Sequence, residues 1–252
     1  MRILISNDDG VYAEGINVLA NKLDSFGDVT VVAPDRNCSG FSSSLTIHNP
    51  LRVEQIAPNR YAVNGTPADC VNLAINKICA EQPDIVISGI NDCVNIGDDV
   101  LYSGTVAAAL EGRYLNLPSI AISLDGGKHY DSAALVVVDI LNKLQNNTFG
   151  LTKTKVLNVN VPNLPYEKIK GTKVTKLSRR CKKESVIMTT DPLGRDIYWL
   201  GEPPAISNQH DVDTDFYAIN NNFISVTPIV SDMTACSEMK DVNLLLCESI
   251  FA

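Results

Sequence analysis

Short apolar segments alternate with helix-like segments through roughly the first 160 residues, and this alternation is what most constrains the fold. Five segments are predicted to be strands because they are apolar or β-branched: Ile3–Ser6, Val29–Ala33, Asp84–Ser88, Ser119–Ser123 and Val156–Val161. Helical spacing or capping residues predict four helices: Ile16–Phe26, one opened by Thr66-Pro67, Thr105–Tyr114 and Tyr130–Gln145. Strands that are apolar on both faces, with helices between them, form parallel sheets covered on both sides. We therefore expect a Rossmann-like three-layer α/β sandwich with a mostly parallel sheet.

The later part of the chain predicts a β-hairpin, a short helix and one more strand. Ser185–Thr190 and Arg195–Leu200 are strand-like, and Asp191–Gly194 between them has the residues of a tight turn. Asp211–Asn220 is predicted to be a short acidic helix and Phe223–Ile229 a strand. The α/β domain should therefore carry a C-terminal hairpin and helix as an appendage.

Length, charge and cysteine usage narrow the class of protein. A chain of 252 residues suits one α/β domain over residues 1–252, with residues 178–222 supplying the hairpin and an extension. The net charge of -8, from 29 acidic and 21 basic residues, argues against nucleic acid as a partner. The N-terminal segment predicts neither a signal peptide nor a membrane span. The seven cysteines form no CxxC pair, which indicates reduced thiols in the cytoplasm and argues against a zinc site.

Oxygen-bearing side chains follow three of the predicted parallel strands. Asp8 and Asp9 follow the first strand, Ser39 lies in the loop after the second, and Asn91 follows the third. Ligands of open parallel sheets bind outside the carboxyl ends of the strands, so these side chains should converge. Each residue taken alone also fits ordinary turn or capping chemistry. Together they predict a site for a hard divalent cation such as Mg²⁺, Mn²⁺ or Ca²⁺.

A small-residue turn opens the helix that follows the third strand. Ser103, Gly104 and Thr105 lead into this helix, and a helix start presents unpaired N–H groups and a positive dipole end. The alternative is a plain Ser or Thr cap. Because this helix follows the strand that carries Asn91, an anion bound at its start would lie beside the metal. This arrangement suits the hydrolysis of a phosphate ester.

Four motifs together resemble the survival protein E (SurE) family over essentially the whole chain. They are Ile5–Gly10, Val32–Gly40, Asn64–Cys70, and Ser88–Asn91 continued by Tyr102–Gly112. The resemblance implies a cytoplasmic 5'/3'-nucleotidase that hydrolyses nucleoside monophosphates with one divalent metal ion, Mg²⁺ or Mn²⁺. It also implies site roles: Asp8, Asp9, Ser39 and Asn91 as metal ligands, and Asn95, Ser103, Gly104 and Thr105 as the phosphate pocket.

One position departs from the family pattern. The family usually has glycine two residues after the asparagine of the third motif, and this chain has Cys93 there. If that position requires a positive φ, Cys93 implies a changed loop path and a different placement for Asn95.

The mechanism predicted from these residues is metal-assisted hydrolysis, in which Asp8 orients or deprotonates the attacking water. A covalent aspartyl-phosphate enzyme is the nearest enzymatic alternative. A non-catalytic sensor of metal and nucleotide on the same sheet is the alternative from another class.

The predicted hairpin needs a surface to cover it, since a lone hairpin is marginal in water. One face is predicted to carry Ile197 and Trp199, with Val186 and Met188. The hairpin could fold back on its own domain or pair with a neighbouring subunit. The family resemblance implies pairing through the C-terminal part, so we expect a homodimer or a homotetramer.

Overall fold

The computed structural model describes residues 1–146, 155–179, 186–200 and 211–247. Within them the strands are β1 Arg2–Ser6, β2 Asp28–Pro34, β3 Val53–Ala57, β4 Arg60–Val63, β5 Ile85–Asn91, β6 Ser119–Leu124, β7 Val156–Val161, β8 Thr172–Val174, β9 Val186–Thr190, β10 Asp196–Leu200 and β11 Ile224–Ile229. The α-helices are α1 Glu14–Leu23, α2 Pro67–Leu73, α3 Gly104–Glu111, α4 Tyr130–Asn146, α5 Asp215–Asn220 and α6 Met239–Cys247. A π-helical turn, Ala74–Ile78, continues α2, and short 3-10 turns span Gly97–Leu101 and Tyr166–Lys168.

A nine-stranded sheet in the order β3-β4-β2-β1-β5-β6-β7-β11-β8 forms the centre of the molecule. The strands from β4 to β7 in this order pair in parallel, while β3 and β11 are antiparallel to their neighbours β4 and β7. The chain runs from β1 outward to β2 on one side and later returns to place β5 on the other. The topological switch point, where such sheets bind ligands, therefore lies between β1 and β5.

Helices cover both faces of this sheet, as predicted. Ile3 and Ile5 of β1 face the core formed with α1 and α4, and Leu4 between them faces the core formed with α2 and α3. This division follows from the two-residue period of a strand, which sends successive side chains to opposite faces. The Rossmann-like three-layer sandwich with a mostly parallel sheet is confirmed.

The helix boundaries follow the capping residues more closely than the apolar pattern. Thr66 caps α2, and its side chain and that of Asp69 form the reciprocal hydrogen bonds of a capping box, with Pro67 in the first turn. Helix α1, Glu14–Leu23, begins two residues earlier and ends three residues earlier than the predicted helix Ile16–Phe26. Helix α5 begins at Asp215, so the prediction of helix for residues 211–214 is wrong: these residues form a turn that ends at the N-cap Thr214.

The hairpin of β9 and β10 is confirmed as an antiparallel pair with Ile197 and Trp199 on one face, but the residues predicted for that face from β9 are wrong. The register places Trp199 opposite Ile187 and Tyr198 opposite Met188. Directly opposed residues share a face, so Ile187, not Val186 or Met188, accompanies Ile197 and Trp199. Residues 180–185 and 201–210 of the predicted appendage, which spans residues 178–222, lie outside the described residues. The β3–β4 hairpin, the short strand β8 and helix α6 are present in the structure and were not predicted from the sequence.

No helix in the described part of the chain is both long and apolar enough to cross a membrane.

Candidate active site

Three strand ends meet at the switch point and bring the predicted metal ligands to one edge of the sheet. Asp8 follows β1 and is buried, with 4% of its surface exposed. The backbone N–H of Cys38, in the loop after β2, donates to the Asp8 carbonyl at 2.7 Å. The backbone N–H of Asp92, just past β5, donates to the Asp9 carboxylate. The loops after β1, β2 and β5 are therefore joined by hydrogen bonds at this edge.

Asn91 is the last residue of β5, which continues through Gly89 and Ile90 and so ends three residues later than the predicted strand Asp84–Ser88. The Gly89–Ile90 peptide is cis. The side-chain Nδ2 of Asn91 donates to the carbonyl of Cys93 at 2.5 Å. This hydrogen bond fixes the orientation of the amide group, whose oxygen is the atom that can bind a cation.

The Asp8 carboxylate lies against the start of α3. The Thr105 hydroxyl donates to Asp8 Oδ1 at 2.5 Å, and the backbone N–H of Thr105 also donates to this carboxylate. Burial raises the pKa of Asp8, and the hydrogen bonds from Thr105 oppose that rise. Gly104 permits this approach: a Cβ at position 104 would lie 2.7 Å from the Asp8 Cβ. Helix α3 therefore orients Asp8 through its first turn.

Among the acids of this site, Asp9 has the side-chain pKa that is shifted most from its usual value. Desolvation, then the negative charge of Asp8, then that of Asp92 raise the pKa of Asp9 to about 7. The carboxylates repel one another in partly buried surroundings, and a cation between them would relieve the repulsion. Two carboxylates and an amide oxygen are the donors that hard divalent ions prefer. These residues therefore fit the divalent metal that the sequence predicted.

Carboxylates alone would not fill the coordination positions of a cation at this site. Across residues 1–146, 155–179, 186–200 and 211–247, no group of three or more His, Cys, Asp or Glu side chains is placed to hold a metal ion. A cation beside Asp8 and Asp9 would need amide, hydroxyl or water oxygens for its remaining positions. Ser39 is exposed in the loop beside Asp8, and its backbone N–H donates to Asn37 Oδ1 at 2.8 Å. Its role as a ligand stays a prediction.

The residues predicted for phosphate binding lie between the end of β5 and the first turn of α3. The Ser103 hydroxyl caps α3 by accepting the N–H of Val106 at 3.0 Å, which is the ordinary capping role. The Asn95 side chain is buried and donates through Nδ2 to Ser123 Oγ at 2.9 Å. The Thr105 hydroxyl is directed at Asp8 and not at solvent. Phosphate binding by this set, with the backbone of Gly104, stays a prediction.

Two groups of residues at this site escaped the sequence analysis. Asp92 perturbs Asp9, and its position directly after Asn91 could have revealed it. Asn158 and Asn160 of β7 are fully buried and hydrogen-bond to the backbone of Asn95. The sequence pattern that could have identified Asn158 and Asn160 is the pair of amides at alternate positions of an otherwise apolar strand.

Cys93 does not adopt the conformation that would need glycine. Within the described residues, the positive φ angles outside glycine belong to Ser42, Asn59 and Asn222. The departure from the family pattern therefore causes no left-handed strain at position 93.

Cys93→Gly is accordingly expected to destabilise the protein by about 0.5–1 kcal/mol, because glycine gains conformational freedom in the unfolded chain. Urea unfolding measures the change. Cys93→Ala is the control, since it removes the thiol and keeps the Cβ. A Gly variant more stable than the Ala variant would contradict the assigned conformation.

The fold and the strand-end cluster define a class: doubly wound α/β proteins with carboxylate and amide side chains gathered at the switch point. The family described as Survival protein SurE matches residues 3–184. The chain belongs to the SurE family.

Relatives named 5'-nucleotidase SurE align over nearly the whole chain. The protein of Mannheimia succiniciproducens is 53% identical over 239 residues, which cover 95% of this chain and 96% of the relative. That of Haemophilus influenzae is 53% identical over 235 residues and covers 93% of each chain. The crystal structure of the SurE protein from Aquifex aeolicus superposes with a TM-score of 0.85 at 44% identity, covering 98% of this chain and 100% of that one.

Proposed function

We propose that this protein is a metal-dependent 5'-nucleotidase, which hydrolyses nucleoside 5'-monophosphates, and 3'-monophosphates, to nucleoside and phosphate. The observation that carries the proposal is the Asp8–Asp9 pair at the switch point, packed against the start of α3. The relatives named 5'-nucleotidase SurE, at 53% identity over 93–95% of the chain, support the same activity.

Asp8, Asp9, Ser39 and Asn91 would hold the divalent cation, Mg²⁺ or Mn²⁺. The chemistry that a bound cation supplies here is Lewis-acid polarisation of the phosphoryl group and of water. Asp8 is the residue proposed to orient the attacking water or take its proton. The hydrogen bonds from Thr105 hold the Asp8 carboxylate in one orientation for this role.

The start of α3 is proposed to bind the phosphoryl group, together with Asn95. Ser103, Gly104 and Thr105 place the positive end of the α3 dipole beside the Asp8 carboxylate, and N–H groups at such a helix start stabilise anionic oxygens. The Nδ2 of Asn95 donates one hydrogen to Ser123 and has a second hydrogen that a phosphoryl oxygen can accept.

Phosphate release from nucleotides by chelator-stripped protein is the test. We expect release from AMP or GMP only after Mg²⁺ or Mn²⁺ is restored, and none with chelator in excess. Nucleotide binding by calorimetry without phosphate release under any metal would instead support a non-catalytic sensor.

Thr105→Val is expected to lower kcat/KM about ten- to hundredfold, because a hydrogen bond to a charged group is worth about 1.5–3 kcal/mol. Valine keeps the shape of threonine and removes the donor to Asp8 Oδ1. Phosphate release at saturating metal measures the loss. Thr105→Ser keeps the hydroxyl and should retain activity within about threefold. Equal activities of the Val and Ser variants would remove Thr105 from the site.

The protein is further proposed to act in the cytoplasm as a homodimer or homotetramer that forms through the β9–β10 hairpin. Both faces of this hairpin are apolar and exposed: Ile187 and Trp199 on one, Met188 and Leu200 on the other. An isolated hairpin of this kind is marginal in water, and a partner subunit would cover it.

Replacing Val186–Leu200 by a short Gly-Ser linker is expected to lower the oligomeric state and leave the Asp8–Asp9 site folded. Light scattering measures the mass, with Lys168→Ala as a surface control on the 3-10 turn before β8. A wild-type mass equal to the 27.3 kDa monomer at micromolar concentration would contradict the proposal.

A further inference from the structure

The segment that carries Asn95 is held in place by side chains from distant parts of the chain. Asn160 of β7 accepts the backbone N–H of Asn95 at 2.8 Å and donates to the Asn95 carbonyl at 3.1 Å. Asn158 donates to the same carbonyl at 2.7 Å. The backbone of Asn95 is thus tied to the sheet by side chains more than sixty positions away.

Two residues later, the same segment is held by a buried carboxylate. Asp215, in the first turn of α5, is fully buried, and its Oδ2 accepts the backbone N–H of Gly97 at 2.7 Å. Its Oδ1 accepts the N–H of Ser178 at 3.0 Å and that of Phe216 at 2.8 Å. Both carboxylate oxygens therefore act as acceptors for backbone groups, and one side chain joins three separate segments.

The junction at Gly97 leaves no space for adjustment. Gly97 has a φ of +55°, and a Cβ there would lie 2.8 Å from both the carbonyl oxygen and the hydroxyl of Ser178. The neighbouring backbone is also paired, because Lys176 donates to the Asp213 carbonyl and accepts from Asp215. The path of the chain at Gly97 is therefore set by Asp215 and by close packing on Ser178.

The position of Gly97 matters because this segment leads directly to the start of α3. The 3-10 turn Gly97–Leu101 connects Asn95 to Ser103, and Thr105 contacts Asp8. A displacement of Gly97 would move Asn95 on one side and the first turn of α3 on the other.

We propose that Asp215 is a positioning residue for phosphate binding: its carboxylate fixes Gly97 and thereby aligns Asn95 with the start of α3. The inference rests on the proposed phosphatase function of that site. Asp215 itself makes no contact with the reacting groups, and it acts through the backbone of the segment that does.

Asp215→Asn is the test, because it preserves size and replaces one acceptor oxygen with an N–H₂ group that cannot accept from Gly97 or Ser178. We expect the KM for nucleotide and the inhibition constant of inorganic phosphate to rise together by at least about tenfold. The metal concentration for half-maximal activity should change by less than about threefold, because Asp8 and Asp9 follow β1 and only the contact with Thr105 links Asp8 to α3. Asp213→Asn, an exposed acid two residues away, is the control of equal charge.

The outcomes separate a positioning role from a structural one. A lower melting temperature with unchanged KM and phosphate inhibition constant would overturn the proposal. Asp215→Glu keeps the charge and is expected to shift both constants in the same direction by a smaller factor. Loss of the folded state in both variants would assign Asp215 to stability alone and overturn the proposal as well.

Calorimetric titration with inorganic phosphate distinguishes this inference from the proposed function. Wild-type protein that binds phosphate without hydrolysing any nucleotide contradicts the function. Asp215 is then judged on the phosphate dissociation constant: at least about a tenfold rise in the Asn variant supports the positioning role, and an unchanged constant overturns it.

Discussion

Asp8→Asn is expected to lower turnover by at least about 1,000-fold, about 4 kcal/mol in transition-state free energy. The substitution removes one of the two charges proposed to hold the cation and the group proposed to orient water. The fold should persist, because asparagine has the same size and its side-chain oxygen still accepts from Thr105. Stability without metal should be equal or higher, since burial disfavours the charged form of Asp8 and neutralisation removes its repulsion with Asp9.

Phosphate release at saturating metal and thermal melting are the paired measurements for this variant. Asp35→Asn is the matched control, because it makes the same charge change at an exposed position of the loop after β2, where Asp35 pairs with Arg36. Surface ion pairs contribute little, so this control should melt and react like the wild type. Activity of Asp8→Asn within about threefold of wild type would overturn the assignment of the site.

Gly104→Ala is the second substitution with a large expected effect, and it adds only one methyl group. The new Cβ would lie 2.7 Å from the Asp8 Cβ and 3.0 Å from Asp8 Oδ2. Either α3 or Asp8 must shift, and we expect turnover to fall at least about 100-fold, since geometry at the reacting groups is sensitive to shifts of about 1 Å. Overpacking should also destabilise the protein by about 1–3 kcal/mol.

The sign of the stability change in Gly104→Ala distinguishes close packing against Asp8 from the ordinary preference of helices for alanine. Without the contact to Asp8, alanine in a helix would stabilise by up to about 1 kcal/mol relative to glycine. Gly171→Ala is the control: Gly171 has a φ of +131° and nothing within 4 Å of an added Cβ, so it should lose stability and keep activity. A Gly104→Ala enzyme that is more stable and fully active would show that α3 does not press against Asp8.

The sequence predicted that the candidate ligands would cluster, because each candidate lies at or just past a strand end, and in a parallel sheet these ends lie at one edge. Asp8, Asp9 and Asn91 were identified from the residues that follow apolar runs, and parallel strands bring such residues to one edge. Asp92 could have been identified in the same way, because it directly follows Asn91. What could not be predicted was that the Thr105 hydroxyl donates to Asp8, because the two residues are 97 positions apart.

Two features of the sheet edges were mispredicted because the local sequence pattern does not specify them: the β3–β4 hairpin and the face of the β9–β10 hairpin. The β3–β4 hairpin was missed because its residues, Val53–Ala57 and Arg60–Val63, mix polar and apolar types at a sheet edge, which leaves no continuous apolar run. The hairpin face was assigned wrongly because alternation within each strand says nothing about register between strands. The turn Asp191–Gly194 set that register and placed Ile187 opposite Trp199.

Local sequence is enough to predict the main strands and helices and the chemistry at their ends. Apolar β-branched runs form buried strands, Thr66 and Asp69 cap a helix, and Asp8 and Asp9 place two acids after β1. These follow from interactions within a few residues, which a local pattern records. The support of the site depends on the folded arrangement, since Asn160 and Asp215 hold the Asn95–Gly97 segment from 65 and 118 positions away. The physical reason is that a buried polar group must find its hydrogen-bond partner wherever packing places one, and that place depends on the folded arrangement of all the elements.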